Sequence, residues 1–284
     1  MEAALAHPIF DRVRPLLRSL AAPLDARLDE LNALAESAGL RVRSGKPLRF
    51  VQPSTEPGAY GDYELRIFRS GLVQTRPGSR HDLFNALAWL SFPETKAELN
   101  ALHVREIPAE KGRRGRFRDF LTLLDEGGAV VSCPDAGLLE SMRSHRWKDL
   151  FWTSRDRTLG KMRVEVLGHA VLEQALRPWP GITCKVIVLH SEWISGADAD
   201  AKACEWLRTA PAGMTPRDLP SLPVFGYPGW WPGGNSAAFY DDARYFRPLQ
   251  AQSRGKIVAG VGRAAAVAVR RAEESPGSAE RDAG

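Results

Sequence analysis

The segment that most constrains the fold is RHDLFNALAWLSFPETKAELNALH, residues 80–103. Its apolar residues recur at helical spacing on both sides of Pro93, and proline is well tolerated at the start of a helix but not inside one. We therefore expect two helices joined at Pro93, with Ser79 as the N-cap of the first. Any fold of this chain must bury the apolar faces of this pair against other elements.

Shorter patterns predict a mixture of further helices and strands. Amphipathic spacing predicts helices at 11–21, 24–38, 135–144, 146–152, 162–176 and 201–209. Runs rich in β-branched and aromatic residues predict strands at 48–53 and 183–190, and a hairpin over 63–76 that turns at Ser70-Gly71. Residues 120–133 fit either a second hairpin or the end of a helix followed by one strand, and the pattern does not separate the two.

The amino-acid composition changes after about residue 210, where the chain becomes rich in proline, glycine and aromatic residues. Disordered linkers are poor in aromatic residues, so this segment is expected to lie ordered against the body. We expect a single α+β domain over 1–249, with a small mixed or antiparallel sheet, packed helices and this long irregular segment. The Ala/Arg/Gly-rich stretch 250–284 predicts a disordered tail, with a frayed helix at 257–272.

Composition favours an ordinary globular protein: 284 residues, of which 44% are hydrophobic and 26% charged. The three cysteines, Cys133, Cys184 and Cys204, lie far apart and form no CxxC pair, which argues against a disulfide framework or a cysteine zinc site. The N-terminus lacks the apolar core of a signal peptide, and no stretch reaches the roughly 20 apolar residues that span a bilayer. A cytoplasmic protein without a membrane partner is expected.

The helical pair carries the densest group of reactive side chains. His81 and Asn85 share a face of the first helix with Trp89, and Asp82 lies beside them. One interpretation is a solvated first turn in which Asp82 serves the helix dipole. Trp89 weakens that interpretation, because a tryptophan on this face indicates that the face packs on something, and buried polar side chains then need partners.

The other interpretation is a polar pocket between the two helices. On the second helix Lys96, Asn100 and His103 share a face. The candidate catalytic residues are then His81 and His103 as general base or metal ligand, Asp82 as their orienting group, Asn85 and Asn100 as positioning groups, and Lys96 as an anion contact. Their spacing matches no established ligand signature, so the pattern alone leaves both interpretations open.

A second candidate set lies on the predicted helix 162–176. Glu165, His169 and Glu173 follow one another at intervals of four residues, and side chains at this interval converge on one helical face. Carboxylate and imidazole groups in a row could bind a divalent metal. The same row could equally be an ordinary charged stripe. Gly168, inside the predicted helix, indicates close packing against another element.

The basic run KGRRGRFR, 111–118, is the third candidate. Arg113, Arg114, Arg116 and Arg118 could grip a phosphate backbone, and the net charge of +5 agrees with this in sign. Such a run is more often a solvated loop, so nucleic acid is a candidate partner that the sequence does not favour. Motifs of nucleotide, dinucleotide and serine-hydrolase sites, and the HExxH zinc motif, are absent from the sequence.

Several phrases together resemble one proteobacterial family. They are LRFV at 48–51, YELRI at 63–67, TR at 75–76 leading into HDLFNALAWLSFP at 81–93, KAELNALH at 96–103, LTLLDEGGAVV at 121–131, GHAVLEQAL at 168–176, and LPVFGYPGWWP at 222–232 with FYDD at 239–242. The chain resembles DUF3025, a family of domains of unknown function. The resemblance implies one domain over about 20–248 with the tail outside it, and it brings no activity or catalytic residues.

The leading functional hypothesis is therefore a cytosolic enzyme, specifically a metal-dependent hydrolase with its site at the 80–103 helical pair. The 165–173 helix could meet the pair there and supply Glu165, His169 and Glu173 as alternative ligands. The enzyme's cofactor would be a divalent metal of unknown identity. The competing hypothesis is a non-catalytic binding protein that contacts nucleic acid or a protein partner through residues 111–118.

Overall fold

Helical segments, including short 3₁₀ and π segments, make up about half of the residues that the structure describes, and the strands form two small sheets. The computed structural model describes residues 2–53, 63–109, 114–192 and 194–249. Its helices are α1 (Glu2–Leu5), α2 (Arg14–Ser19), α3 (Leu28–Ser37), α4 (Tyr63–Ser70), α5 (Arg80–Ser91), α6 (Pro93–Glu106), α7 (Arg116–Gly127), α8 (Ala136–Arg143), α9 (Arg155–Lys161), α10 (His169–Gln174) and α11 (Ala197–Thr209). Its strands are β1 (Arg49–Val51), β2 (Leu72–Gln74), β3 (Gly128–Ser132), β4 (Arg163–Val166), β5 (Thr183–Leu189) and β6 (Ser221–Pro223).

The larger sheet has the strand order β4-β3-β5-β6. Strand β3 runs parallel to β5 and antiparallel to β4, and β6 is antiparallel to β5. The sheet is therefore mixed, and the predicted α+β class is confirmed. Strands β1 and β2 form a separate parallel pair.

Alternation along the central strand β3 divides the apolar interior into two cores. Successive strand residues point to opposite faces of a sheet. Ala129 and Val131 join one core, whereas Val130 packs in the other with Ile187 of β5. All five residues of β3 are buried, which explains why its sequence is continuously apolar or small rather than alternating.

The predicted helical pair is present as α5 and α6, and the side chain of Ser79 accepts a hydrogen bond from the Asp82 amide, as an N-cap should. Helix α5 is buried on nearly every side because α6 and α10 both pack against it. Trp89 is 3% exposed and Asn85 is 8% exposed. The inference that the face of Trp89 packs against protein is confirmed. The solvated interpretation of the first turn is wrong for Asp82, which is buried, whereas the His81 side chain stays 38% exposed.

The predicted hairpin at 63–76 is wrong. Residues 63–70 form helix α4, which buries Ile67, and only 72–74 form a strand. Gly71 ends the helix with a positive φ of 76°, and a Cβ there would lie 2.0 Å from the Pro47 carbonyl oxygen. The aromatic and β-branched residues of 63–70 are typical of a strand, but here they belong to a short amphipathic helix that buries Ile67.

The predicted helix at 162–176 is also wrong. Its first part is strand β4, which pairs with β3 so that Val164 lies opposite Val131 and Val166 opposite Ala129. Helix α10 starts only at His169. The four residues of β4 form backbone hydrogen bonds with β3 at the edge of the sheet. This pairing outweighs the weak helical preference of the segment.

Most of the remaining predictions are present with altered bounds. Residues 120–133 take the helix-then-strand alternative, as the end of α7 followed by β3. The predicted helix 146–152 is a π-helical segment, Asp149–Thr153. The segment after 210 is ordered by short 3₁₀ turns and β6, and it buries Tyr240 and Phe246. The predicted tail 250–284 lies outside the described residues.

Candidate functional site

Three side chains from three helices converge on one point. His81 lies in the first turn of α5, His169 begins α10, and Glu126 lies near the end of α7. The Nε2 atoms of the two histidines are 3.2 Å apart, and His169 Nε2 is 3.3 Å from Glu126 Oε2. One nitrogen or oxygen of each residue lies within 4.8 Å of those of the other two.

Gly168 explains how the start of α10 reaches the end of α7. A Cβ at this position would lie 2.6 Å from the Glu126 carbonyl oxygen and 2.6 Å from the Gly128 amide nitrogen. Only glycine permits so close an approach of two backbones. The predicted close packing at Gly168 is confirmed, although it occurs just before a helix rather than inside one.

The second ring nitrogen of each histidine faces another carboxylate. Glu173 Oε2 lies 3.0 Å from His81 Nδ1. Asp125 Oδ2 lies 3.8 Å from His169 Nδ1. His81 Nδ1 is thus within hydrogen-bond distance of Glu173, which is the arrangement that orients histidine ligands in metal proteins. Among the described residues, His169 Nδ1 is buried without a hydrogen-bond partner, and Asp125 lies only within ion-pair distance of it.

The cluster opens into a cavity of about 500 Å³. The cavity is lined by the three converging residues and by Tyr63, Arg76, Asp82, Asn85 and Asp125. A volume of this size accommodates a small molecule, since ligand cavities commonly span about 300–1,000 Å³. The convergent polar groups therefore have space beside them for a substrate.

Two basic side chains neutralise two of the acidic groups around the cavity. Arg76 binds both carboxylate oxygens of Asp82 at 2.8 Å. Lys96 forms an ion pair with Asp125 and donates to Asn85 Oδ1 at 2.9 Å. Glu126 contacts no lysine or arginine within the described part of the chain, so its charge is directed at the histidines.

Burial sets the protonation of two of the converging groups. It lowers the pKa of His169 to about 4, so this imidazole is neutral near pH 7 and keeps a lone pair for a ligand. Burial, together with the charge of Asp125, raises the pKa of Glu126. The pKa of Asp125 itself is lowered, because Lys96 and His169 outweigh the opposing effect of burial.

The polar face of α6 does not share the cavity as predicted. Asn100 donates instead to the backbone oxygen and side chain of Glu64, at 2.8 and 2.7 Å. His103 is buried and accepts a hydrogen bond from Arg118 Nε at 3.2 Å. Lys96 is 3% exposed and lies behind the cavity, so the predicted anion contact is replaced by its ion pair with Asp125.

His103 should make stability depend on pH. Burial lowers its pKa to about 4, whereas an unfolded histidine titrates near about 6.5. As the pH falls from 6.5 to 4 the unfolded chain gains the proton first, so stability falls by roughly 3 kcal/mol from this residue alone. Urea unfolding between pH 7 and pH 4 should show a shallower decline for His103→Gln than for the unchanged protein. Parallel curves would contradict this assignment.

The second candidate set does not form a row on one helix. Glu165 lies on β4, where it accepts from the Gly196 amide at 3.2 Å and faces Arg12 at 3.9 Å. It lines a different cavity from His169. Of the three predicted metal ligands, only His169 belongs to the cluster. Glu173 lies within hydrogen-bond distance of His81 Nδ1, and Glu165 lies on β4 beside a different cavity.

The predicted basic surface is also dispersed. Arg118 is buried beside His103, and Arg114 bonds to Thr122 and to Asp119, the latter at 3.3 Å. Arg116 is exposed, and Arg113 lies outside the described residues. The interpretation of four arginines as one exposed phosphate-binding set is wrong for Arg118.

Sequence reasoning missed Glu126, Asp125 and Tyr63. Asp125 and Glu126 fall in a run that fits a hairpin turn or a helix end, and their only signal is that two adjacent carboxylates precede a buried strand. Tyr63 falls in the predicted hairpin. His81 and His169 belong to different candidate sets, 88 residues apart in the chain, and the structure brings them together.

Within the described part of the chain, no helix is both long and apolar enough to cross a membrane.

Neither the curated proteins nor the solved structures contain a match to this chain. Residues 48–250 match the family described as Protein of unknown function (DUF3025), and all of the cavity residues named above fall inside this range. The match covers more than half of the sequence, and the chain belongs to the DUF3025 family.

Proposed function

We propose that this protein is a metal-dependent hydrolase that binds one divalent cation through His81, His169 and Glu126. The observation that carries the proposal is the convergence of three potential metal ligands. The two Nε2 atoms lie 3.2 Å apart beside Glu126, and Glu173 lies 3.0 Å from His81 Nδ1. Two imidazole nitrogens and one carboxylate that meet at a point, with further carboxylates near the Nδ1 atoms, form a donor set suited to a cation.

The donor set indicates the class of metal. Two histidines and one carboxylate suit zinc and other first-row divalent ions, whereas calcium and magnesium prefer oxygen ligands throughout. Three protein ligands leave coordination positions free for water or substrate, as catalytic sites require. The cavity of about 500 Å³ beside the cluster supplies access to such a position.

Local charge supports the same proposal. Arg76 neutralises Asp82 and Lys96 neutralises Asp125, but Glu126 faces only imidazoles among its described ion-pair partners. His169 is neutral near pH 7 because burial lowers its pKa to about 4. A divalent cation would stabilise the charged form of Glu126, which burial and the charge of Asp125 otherwise disfavour.

Hydrolysis needs water as its only co-reactant. When bound, a divalent metal of this kind polarises a carbonyl or phosphoryl oxygen and lowers the pKa of coordinated water to about 7. Glu173 would orient His81, and Tyr63 would present its hydroxyl group to the substrate. Asp82 would keep Arg76 at the rim of the cavity through its two hydrogen bonds.

The test is a metal titration followed by an activity screen. Protein stripped with a chelator should take up one equivalent of Zn²⁺ or Mn²⁺ by calorimetry, and the loaded form should cleave at least one class among carboxylic esters, amides and phosphoesters. Absence of a stoichiometric site would overturn the proposal. Oxygen consumption by the Fe²⁺-loaded form, without hydrolysis by any form, would retain the site but reject the hydrolase.

We also propose a cytosolic location. All three cysteines are buried and unpaired, which suits a reducing compartment.

A further inference from the structure

Tyr63 lines the cavity and stands at the end of a hydrogen-bonded chain of buried polar groups. It begins α4 and lines the cavity together with the metal-site residues. The residue as a whole is 37% exposed, but its hydroxyl reaches inward to the buried Asn85. The phenol therefore presents its oxygen to the interior end of the cavity while part of the ring meets solvent.

The direction of the Asn85–Tyr63 hydrogen bond is fixed by Lys96. An ammonium group can only donate, so the atom of Asn85 that meets Lys96 Nζ at 2.9 Å must be the amide oxygen. The amide nitrogen then faces Tyr63 and donates to its oxygen at 3.1 Å. Because the phenol accepts this hydrogen bond, its own hydrogen is not used in the contact and can be donated elsewhere.

Lys96 is itself held in place from several sides. It forms an ion pair with Asp125, it lies 5.3 Å from the centre of the Trp89 ring, and only 3% of it is exposed. An amide bound to so constrained a cation cannot reverse its two ends without placing a donor against a donor. The orientation of Asn85 is thus a fixed property of the buried network.

The phenol also stays protonated in this setting. Burial raises the pKa of Tyr63, and the charges of Glu64 and Asp125 raise it further. A neutral phenol with its oxygen already accepting is a hydrogen-bond donor near pH 7.

We propose that Tyr63 donates a hydrogen bond to the carbonyl or phosphoryl oxygen of a substrate held in the cavity that it shares with His81, Glu126 and His169, with Asn85 and Lys96 as positioning residues. This inference rests on the proposed metal site. A donor aimed at an oxygen that gains negative charge stabilises that charge, and the fixed network means that no reorientation is needed when the substrate arrives. The proposed substrate class is therefore esters, amides or phosphoesters, whose carbonyl or phosphoryl oxygen can accept a hydrogen bond from the phenol.

The test uses the full chain loaded with Co²⁺, whose visible absorption reports binding of small ligands to the metal. Inorganic phosphate is the probe, and imidazole is the control ligand because it offers no oxygen acceptor. Tyr63→Phe should weaken phosphate binding by about tenfold, the effect expected for losing one hydrogen bond to a charged group. Affinities for Co²⁺ and for imidazole should stay within about twofold, since the ring is kept.

Asn85→Leu provides the second variant. It removes the amide that orients the phenol, so phosphate binding should weaken by several-fold with imidazole binding unchanged, which a general loss of structure would not produce. Equal phosphate affinity in Tyr63→Phe and the unchanged protein, with Co²⁺ bound in both, would overturn the role of Tyr63 alone. Failure of the unchanged protein to bind Co²⁺ would overturn the proposed metal site and this inference with it.

Discussion

Replacing His169 with alanine should lower the affinity for Zn²⁺ by more than about 100-fold, which is beyond the 10–100-fold typical of changes outside the ligand set. His169 lies at the centre of the cluster, with His81 Nε2 at 3.2 Å and Glu126 Oε2 at 3.3 Å from its own Nε2. Its loss removes a ligand that burial already keeps neutral at working pH. Isothermal titration of chelator-stripped protein measures the effect.

Two further variants make this result specific. Glu173→Gln alters only the group behind His81, so it should weaken Zn²⁺ binding by roughly tenfold, less than the loss of a ligand. His190→Ala removes an exposed histidine that bonds to the Pro134 backbone and should leave the affinity unchanged. Equal losses in His169→Ala and His190→Ala would show that the metal binds nonspecifically to surface imidazoles.

Lys96→Met should cost about 3 kcal/mol of unfolding free energy, at the lower end for a broken buried ion pair, because it leaves the partly buried carboxylate of Asp125, 22% exposed, without its cation. The Lys96 ammonium also donates to Asn85, so the amide loses a partner as well. Urea unfolding at pH 7 gives the change directly. Combining it with Asp125→Asn should recover much of the stability, since the unpaired charge is then gone.

An exposed ion pair supplies the matched control. Lys148 bonds to Asp241 at 2.7 Å, but the two side chains are 42% and 60% exposed. Lys148→Met should change the unfolding free energy by less than about 1 kcal/mol. Similar losses for Lys96→Met and Lys148→Met would mean that the Lys96–Asp125 pair contributes no more than a surface contact.

The sequence predicted α5 and α6 well because their signals are local. Pro93 and the Ser79 cap mark helix starts, and the apolar spacing holds over many residues. The burial of Trp89 was also inferable from its place on a polar face. Short elements were harder, because a run as brief as 63–70 satisfies both a strand pattern and one face of a helix.

The cluster itself could be predicted only in part. His81 and His169 were named as candidates, but their convergence depends on the contact of Gly168 with the end of α7. That contact is a tertiary event, and no spacing between the two histidines encodes it. Glu126 enters the cluster by the same contact, so the sequence pattern around residue 168 gives no sign of this third member.

The most direct measurement of the metal site is the anomalous scattering of a crystal of the Zn²⁺-loaded protein at the zinc absorption edge. The account predicts a single strong peak about 2.0–2.1 Å from His81 Nε2 and His169 Nε2, with a Glu126 carboxylate oxygen at about 2.0–2.2 Å. A strong peak at any other place in the chain, or no peak in protein that holds its zinc in solution, would contradict it.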